Sequence, residues 1–557
     1  MNPKALPLLL IAAVVVAGSF VRFTHLDRAN FNGDELDHYY AARSIEAGGQ
    51  PVLPSGSVYS RALDFTRLVG VSLRYVEPPE LATRLPSAVF GVLSLVLIAF
   101  IAWKLGGPWA AVWATALLAI FPEAIVQSRM TRFYTYQQCC GLIALYAGWR
   151  SLQAAGSRDD PTAAEWRRAW LWGLVTAGTF YLSTRVQLTT LSVIVAWCAA
   201  VLIAMGADLR RRGATAWRRS FPIQAGAIIL VCAVIGLLAF PGTVARAVAQ
   251  SQYVAAWSGP GKALAYYYSL SGDLPLIVSL LPLIYLLVIL KNPRLGVYLG
   301  VWFFVPLLLH SWVFPWKGIR YVLLALPAMF VAAGIAAATA YGAVRRWIDI
   351  QLREQGWPEA RARRFAWLGV ALIAAFVVVT TNAFNSARRV PEIPKPIKWR
   401  AAAVIVDSLQ QVDSVRIGSS MGLPAMYYWG GLDFVVGSDF LERPRLGTGA
   451  MEIHSQGTPD WYSGAPTLTV PEAIRRYYPD SRQFVIGIDT DRWNFNNIDP
   501  SLRNTLVDQG VELCRGRCGD LLLFLWSTGE SAAAPSDEAD APLPAGAASA
   551  ASGPIRS

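Results

Sequence analysis

The chain has 557 residues, of which 54% are hydrophobic and only 15% are charged. Because a soluble globular protein carries roughly 25% charged residues, the composition excludes an ordinary soluble domain and predicts a membrane protein with several spans. The formal net charge of +12 could indicate a nucleic-acid partner. The Lys and Arg residues instead lie where they would orient the chain in a membrane, so we expect no nucleic acid.

Apolar segments occupy most of residues 1–390, which we predict to form a transmembrane domain. Each segment is close to the length that a helix needs to cross roughly 30 Å of hydrocarbon. The first, residues 5–21 behind Lys4, is interpreted as an uncleaved span and not as a signal peptide, because many more spans follow. The other predicted spans, about eleven in all, are residues 85–103, 109–126, 136–150, 169–183, 187–206, 222–240, 274–290, 296–311, 319–341 and 366–383.

The loops between these segments predict the orientation of the chain. The strongly basic loops are residues 150–168, 210–219 and 345–364. With eleven spans all three fall on the side of Lys4, which the positive-inside rule makes cytoplasmic. The extracytoplasmic side then receives the first outer loop, residues 22–84, and everything after about residue 384. The Arg- and Ala-rich composition favours a high-GC bacterium, so we expect a multi-pass protein of the bacterial inner membrane.

Three carboxylates, Asp34, Glu35 and Asp37, follow directly on the first span. So much charge cannot lie in lipid, which places the stretch at a membrane surface or in a polar cavity. The structural interpretation is a capped helix start whose first turn favours acidic residues, with a helix at about residues 36–48. The functional interpretation is a carboxylate base that accepts a proton from an acceptor hydroxyl.

The second outer loop, residues 127–138, is dense in hydrogen-bond donors. Arg129, Arg132 and Tyr134 lie in it, and Glu123 precedes it. An interfacial belt of Arg and aromatic residues is the structural interpretation. Because Arg on the outer side runs against the topological bias, a polar substrate pocket is the functional one.

Lys317 and Arg320 lie on the outer side, at the apparent N-terminus of a late helix. Cations gain nothing from the helix dipole at that position. An anion would gain both from the dipole and from the two side chains, so a lipid phosphate at headgroup depth is the natural ligand. Snorkelling of the two side chains toward lipid headgroups is the structural alternative.

After residue 390 the composition changes to that of a soluble domain, predicted to span residues 391–528. Helices and strands alternate in it, which indicates a small extracytoplasmic α/β domain with a partly parallel sheet. The predicted helices are residues 399–409, 423–429, 471–477 and 500–509, and the strands are residues 414–418, 434–436, 483–488 and 521–526. Cys514 and Cys518 would face an oxidising compartment, where a local disulfide is expected. The Ala-, Ser- and Pro-rich tail, residues 529–557, is predicted to be disordered.

Taken together, the three outer-loop motifs resemble the GT-C membrane glycosyltransferases, specifically the family of protein O-mannosyltransferases and the lipid A aminoarabinose transferase. The residues that carry the resemblance are Gly33-Asp34-Glu35 with Tyr39-Tyr40-Ala41, Arg129-x-x-Arg132-Phe133-Tyr134, and Lys317-x-x-Arg320-Tyr321 with Leu326-Pro327. The likeness covers about residues 1–385. It implies inverting transfer of a sugar from a polyprenyl-phosphate donor to a hydroxyl acceptor at the outer face of the membrane.

The resemblance also implies roles for single residues. Asp34 matches the catalytic acidic position and Glu35 its neighbour in the pair, so both are catalytic candidates, while Lys317 and Arg320 match a basic position that contacts the donor phosphate. Further candidates for substrate binding are Tyr39, Glu123, Arg129, Arg132 and Tyr134. Some relatives place a second carboxylate in the second outer loop. Here that loop carries two arginines instead, and Glu123 is the nearest acid.

The residues leave several alternatives open. The chemistry requires no metal or other cofactor, although Glu35 and Asp37 could hold a divalent ion. A transporter or lipid flippase is the main alternative function, and a non-catalytic scaffold is another. The ionisable residues lie near the outer ends of the spans and not at mid-depth, which favours the enzyme. The sugar, the acceptor (protein, lipid A, another glycolipid or a cell-wall glycan) and the choice between undecaprenyl and dolichyl phosphate are not fixed by the sequence.

Overall fold

The structure, a computed structural model, divides into two compact units. The first unit is Met1–Pro396 with Glu442–Ile453 and Trp461–Gly464, and the second is Ile397–Leu441, His454–Asp460 and Ala465–Ser557. The residues that it describes are 5–156, 162–213, 220–239, 265–312, 318–354, 398–411, 414–437, 442–444, 451–453, 456–494, 498–514 and 517–528. The predicted span at residues 366–383 and the predicted disordered tail lie outside the described residues.

Helices make up almost all of the described first unit. They are α1 (Ala5–Phe23), α2 (Gly33–Glu46), α3 (Leu63–Leu73), α4 (Pro79–Gly106), α5 (Pro108–Ile120), α6 (Pro122–Arg129), α7 (Tyr134–Gly156), α8 (Ala163–Val186), α9 (Thr190–Arg212), α10 (Phe221–Ala239), α11 (Ala265–Asp273), α12 (Pro275–Ser279), α13 (Leu281–Lys291), α14 (Pro293–Trp312), a 3₁₀ turn (Ile319–Val322) and α15 (Leu326–Glu354). Several begin at a proline, whose fixed φ and missing N–H suit the first helical position.

Five of the described helices are long and apolar enough to cross a membrane, namely α1, α4, α9, α14 and α15. The chain is therefore an integral membrane protein with a mostly helical first unit. The predicted span at residues 109–126 is broken at Phe121 into α5 and α6, which are bent by 60° and together make a sixth candidate. Pro122 supplies the break, because a proline removes a backbone donor and clashes with the preceding turn. The full number of spans stays a prediction.

Close packing of small residues joins α4 and α5 to α15. A Cβ added to Gly334 would lie 2.5 Å from the backbone oxygen of Ala110, and one added to Gly106 would lie 2.4 Å from Ile335. Small residues at such contacts let helix backbones approach closely, which drives helix association in lipid.

The boundary between the predicted spans at residues 169–183 and 187–206 lies slightly later than expected. Helix α8 continues to Val186, and the chain turns at Gln187–Thr189 instead of at residues 183–185. The side-chain amide of Gln137 stabilises this turn by donating to the hydroxyls of Thr189 (3.1 Å) and Thr190 (2.9 Å). A buried amide with two polar partners fixes where the helix ends.

The second unit is the predicted α/β domain with a partly parallel sheet. Its helices are α16 (Trp399–Gln410), α17 (Gly422–Trp429), α18 (Pro471–Tyr477), α19 (Thr490–Asn494) and α20 (Pro500–Gln509). The strands of the chain are β1 (Val415–Ser419), β2 (Phe434–Val435), β3 (Glu442–Pro444), β4 (Met451–Ile453), β5 (Gln483–Asp489), β6 (Gly510–Glu512) and β7 (Leu521–Ser527). Strands β3 and β4 form an antiparallel pair in the first unit.

The sheet of the second unit has the strand order β2-β1-β5-β7-β6. Strand β1 pairs in parallel with β2 and β5, and β7 pairs antiparallel to β5 and β6. Two apolar clusters cover its faces, one around Trp399 and Trp429 and the other around Phe484 and Trp526. Cys514 and Cys518 form a disulfide beside the first of these clusters.

Candidate active site

Helix α2, in the first outer loop, begins with a capping box. The Asn32 side chain accepts a hydrogen bond from the Glu35 backbone N–H (2.9 Å), and the Glu35 carboxylate accepts one from the Asn32 N–H (3.1 Å). The structural interpretation of this stretch is therefore correct for Asn32 and Glu35. Asp34 takes no part in the cap, and its side chain is 51% exposed. The start of α2 thus holds the Glu35 carboxylate inside the protein and leaves the Asp34 carboxylate accessible.

Glu35 is fully buried and fully engaged. Its two carboxylate oxygens accept hydrogen bonds from the Arg84 guanidinium at 2.8 and 2.9 Å. The Thr131 backbone N–H, in the second outer loop, donates a further bond of 2.8 Å. Glu35 therefore ties α2 to α4 and to the second outer loop. This geometry is that of a positioning residue.

Arg84, near the outer end of α4, was not identified from the sequence. Besides Glu35, it donates to the backbone oxygens of Leu26 (2.7 Å), Ala29 (2.8 Å) and Asn30 (3.0 Å). These carbonyls belong to the irregular segment between α1 and α2. Arg84 thereby fixes the path of the chain that delivers Asp34. The available signal was a charged residue at the edge of the predicted span 85–103, where a charge is costly unless it has partners.

Arg129, predicted to bind substrate, also has a positioning geometry in the structure. Its guanidinium donates to the backbone oxygens of Val21 (2.8 Å), Thr24 (2.6 Å) and His25 (3.4 Å), at the C-terminal end of α1. A cation there satisfies carbonyls that the helix leaves without partners and complements the helix dipole. Arg129 therefore holds the end of α1 against the second outer loop.

Arg132 is the partner of Asp34. Its guanidinium lies 3.1 Å from the Asp34 carboxylate, and its side chain is only 8% exposed. The Ser87 hydroxyl, on α4, fixes its backbone by donating to the Arg132 carbonyl (2.9 Å). The guanidinium also lies over the rings of Phe133 (5.6 Å) and Tyr134 (5.5 Å). Burial lowers the pKa of Arg132, but the Asp34 carboxylate and nearby phenols outweigh burial and raise it, so the group stays charged.

Aromatic rings connect Arg132 to the second candidate cation. The ring of Tyr134 meets that of Tyr321 edge-on, with centroids 6.2 Å apart. Arg320 lies over the Tyr321 ring at 5.1 Å and donates to its hydroxyl (3.3 Å). The structure therefore brings Asp34, Arg132 and Arg320 to the same region of the first unit. Lys317 lies outside the described residues.

The remaining predicted residues border this region. The Glu123 carboxylate accepts a hydrogen bond from the Gln127 amide (2.8 Å), one turn later in α6. Tyr39, on α2, packs against the rings of Phe31 and Tyr40 at centroid distances of 5.8 and 5.3 Å. Glu123 is thus held by its own helix, and Tyr39 belongs to an aromatic group at the start of α2.

His38 is a second residue that the sequence did not single out. It lies one helical turn after Asp34 and is fully buried, with its ring nitrogens 2.9 Å from the Thr66 hydroxyl and 3.4 Å from the Tyr59 hydroxyl. Burial first, and then the charge of Arg132, lowers the pKa of His38 well below its usual value. The ring is therefore neutral at physiological pH, and its hydrogen bond with Thr66 joins α2 to α3.

Within the part of the chain that the structure describes, no group of three or more His, Cys, Asp or Glu side chains is arranged to hold a metal ion. The two residues suggested for a divalent ion differ in their surroundings. The Glu35 oxygens are already used by Arg84, Thr131 and Asn32, and Asp37 is buried elsewhere on α2. A metal at Glu35 would have to displace a guanidinium.

The architecture was compared with known proteins. No family model and no curated protein sequence matches the chain. Solved structures do match it. The ArnT protein of Cupriavidus metallidurans bound to undecaprenyl phosphate superimposes with a TM-score of 0.55 at 14% identity, over 94% of this chain and 98% of that one. The oligosaccharyltransferase AglB of Archaeoglobus fulgidus, in complex with an inhibitory peptide and a dolichol-phosphate, gives 0.54 at 13% identity, over 88% and 70%.

Both of these proteins have the GT-C fold. The chain therefore has the GT-C fold. This confirms the fold predicted from the three outer-loop motifs. In this GT-C chain, the motif residues Asp34, Arg132 and Arg320 come together although they lie almost 300 residues apart in the sequence.

Proposed function

We propose that the chain transfers a sugar from a polyprenyl-phosphate donor to a hydroxyl acceptor, with inversion at the anomeric carbon. The observation that carries this proposal is the pair formed by Asp34 and Arg132. The accessible Asp34 carboxylate is held by the buried Arg132. The adjacent residue, Glu35, is immobilised by its ion pair with Arg84. In the GT-C fold this arrangement faces the region of Arg320, which supplies positive charge for a phosphate.

Asp34, Arg132 and Arg320 have separate roles in the proposed reaction. The acceptor oxygen attacks the anomeric carbon, its proton passes to the Asp34 carboxylate, and the bond between that carbon and the phosphate oxygen breaks. The phosphate leaves with the bonding electrons as a polyprenyl phosphate. Arg320 stabilises the charge that develops on it, a contribution that is large in a site poor in water. Arg132 orients Asp34 and keeps a positive charge beside it, and Lys317 remains a proposed second contact to the phosphate.

The two solved structures support the donor class. One is bound to undecaprenyl phosphate and the other to a dolichol-phosphate, and both share the fold of this chain. The chain has the same fold and a cation at the position proposed for such a phosphate. The transporter alternative gains no support from these comparisons.

The membrane and the orientation are part of the proposal. The basic loops predict that the inner side is cytoplasmic, which places Asp34 and the second unit on the extracytoplasmic side of a bacterial inner membrane. We also propose that the reaction needs no metal. Arg84 occupies Glu35 with two charge-assisted hydrogen bonds, and Arg320 already supplies positive charge for the phosphate.

Mass spectrometry of envelope glycans and glycolipids tests the proposal. Cells that express the chain should carry a sugar on a protein, lipid or glycan that is absent when the chain is deleted. Membranes from these cells should release free polyprenyl phosphate when the acceptor is added. A deletion strain with an unchanged set of envelope glycans and glycolipids would contradict the proposal.

A further inference from the structure

A cavity of about 490 Å³ lies among α7, α9, α10 and the start of α14, away from the candidate active site. Its wall on α9 includes Ala200, Ala204 and Ala207, which share one helix face because they follow one another at intervals of four and three residues. Trp149 on α7 and Tyr298 on α14 stand around this alanine face. Small side chains opposite large ones leave a space with mostly apolar walls.

The cavity opens into a second space of about 710 Å³ that is lined by three arginines, Arg210, Arg211 and Arg294. Ala207, Arg211 and Arg294 line both spaces, so the apolar cavity and the cationic opening are continuous. The two spaces together form an apolar slot, and the arginine-lined space is its positively charged mouth.

Among the residues that the structure describes, one acid, Asp208, lines the cavity, and it is already bound. The Asp208 carboxylate is buried and accepts hydrogen bonds from Arg211 (2.7 Å) and from the Ser220 hydroxyl (2.9 Å). The Ser220 oxygen in turn accepts from the Ile223 backbone N–H at the start of α10 (3.3 Å). Asp208 thus fixes the direction of Arg211. The described lining of the two spaces thus carries three arginines and one aspartate, which together contribute positive charge.

The mouth lies at the opposite ends of the helices that carry the candidate active site. Trp149 is fifteen residues after Tyr134 in α7, or about 22 Å at about 1.5 Å per residue. Arg294 is sixteen residues before His310 in α14, or about 24 Å. His310 stacks on Tyr321, beside Arg320. The two regions are therefore separated by most of the hydrocarbon thickness of a membrane, roughly 30 Å.

We propose that this slot binds one anionic glycerophospholipid of the inner leaflet. Its phosphate lies between Arg211 and Arg294, and an acyl chain follows the alanine face of α9. Basic pockets between transmembrane helices on the cytoplasmic side favour anionic lipid headgroups, and the apolar walls fit a hydrocarbon chain. The start of α14 at Pro293 adds the positive end of a helix dipole. The site is distinct from the donor site of the proposed function, and its occupant does not react.

Native mass spectrometry of the full-length protein in detergent tests this proposal. Phosphatidylglycerol, phosphatidylcholine and inorganic phosphate are titrated in separate arms. The wild type should retain one phosphatidylglycerol more tightly than phosphatidylcholine, and inorganic phosphate at the same concentration should not displace it. The double variant Arg211→Gln/Arg294→Gln should bind phosphatidylglycerol roughly 10- to 30-fold more weakly.

Two further variants separate this site from general attraction to a basic surface. Ala207→Phe leaves the charges intact but fills the junction of the two spaces, so it should also lose the lipid. Arg345→Gln/Arg346→Gln removes two exposed arginines of α15 outside the cavity and should bind the lipid as the wild type does. Equal retention by all variants, an equal loss in the α15 control, or displacement by inorganic phosphate would overturn the proposal.

Discussion

Glu35 and Arg84 form two nearly equal hydrogen bonds, 2.8 and 2.9 Å long, between side chains that are 0% and 1% exposed. The pair is separated by 49 positions in the sequence and joins the start of α2 to the outer end of α4. A buried ion pair with such geometry specifies where a helix lies more than it contributes net stability. It is therefore the pair that decides where the neighbouring Asp34 is presented.

Replacing Glu35 should destabilise the fold strongly. In Glu35→Ala the Arg84 guanidinium loses its buried counter-charge, which costs about 3–5 kcal/mol of unfolding free energy. Glu46→Ala is the matched control, because Glu46 pairs with Arg74, whose side chain is 57% exposed. Such surface pairs contribute at most about 1 kcal/mol. Thermal unfolding in detergent should separate the two variants clearly, and equal melting temperatures would show that Glu35 does not hold the site together.

Arg320 should act mainly on the donor. Arg320→Gln removes a charge-assisted contact that holds the phosphate and stabilises it as it leaves, so kcat/KM for the polyprenyl-phosphate sugar should fall roughly 10- to 100-fold. Arg28→Gln, which removes an exposed arginine of the first outer loop, serves as the control. Initial-rate kinetics with varied donor would give both constants. An unchanged kcat/KM for the donor in Arg320→Gln would remove this residue from the phosphate site.

His38 should make stability depend on pH. The pKa of buried His38 lies well below that of the unfolded chain, about 6.5, so below that pH the unfolded state binds a proton that the folded state does not. Stability is therefore full above about pH 6.5 and falls by up to about 1.4 kcal/mol per pH unit below it. Melting temperatures between pH 7.5 and 5 should show this fall in the wild type and a flatter curve in His38→Gln. The exposed His25→Asn variant should behave as the wild type, and an identical fall in His38→Gln would reject this role for His38.

Transfer should not depend on a divalent ion. Because the Glu35 oxygens are used by Arg84 and by two backbone N–H groups, chelation with EDTA should leave the rate unchanged. Added Mg²⁺ or Mn²⁺ should change it by less than about twofold. Activity that disappears with EDTA and returns with a divalent ion would show that the site holds a metal.

The sequence predicted the parts of this molecule that follow from local patterns. Apolar length predicted α1, α4 and α9, and the alternation of elements predicted helices such as Pro471–Tyr477 and Pro500–Gln509 at the bounds that the structure has. The three-residue strand β6 was missed, because so short an element has no periodicity to detect. The break at Phe121 was not predicted, because the apolar run at residues 109–126 is long enough for one unbroken span although it contains Pro122.

The candidate site was predictable only in part, since its contacts join distant residues. Asp34 and Arg320 stood out as charges at the ends of spans. The same signal was present at Arg84, at the edge of the predicted span 85–103, but its partner Glu35 could not be inferred from spacing. The sequence showed that Arg129 is an unusual charge on the outer side. Its hydrogen bonds to the carbonyls at the end of α1 could not be predicted, because they depend on how α1 and α6 pack.

The turnover of Asp34→Asn tests the central claim most directly. Release of free polyprenyl phosphate would be measured at saturating donor, with the donor and acceptor identified from the envelope comparison. Loss of a general base should lower kcat about 10²- to 10⁴-fold, while the melting temperature and the KM for the donor stay near the wild-type values. Asp27→Asn, an exposed acid of the same outer loop, should keep full activity. An Asp34→Asn protein that turns over within about threefold of the wild type would contradict the assignment of Asp34 as the base.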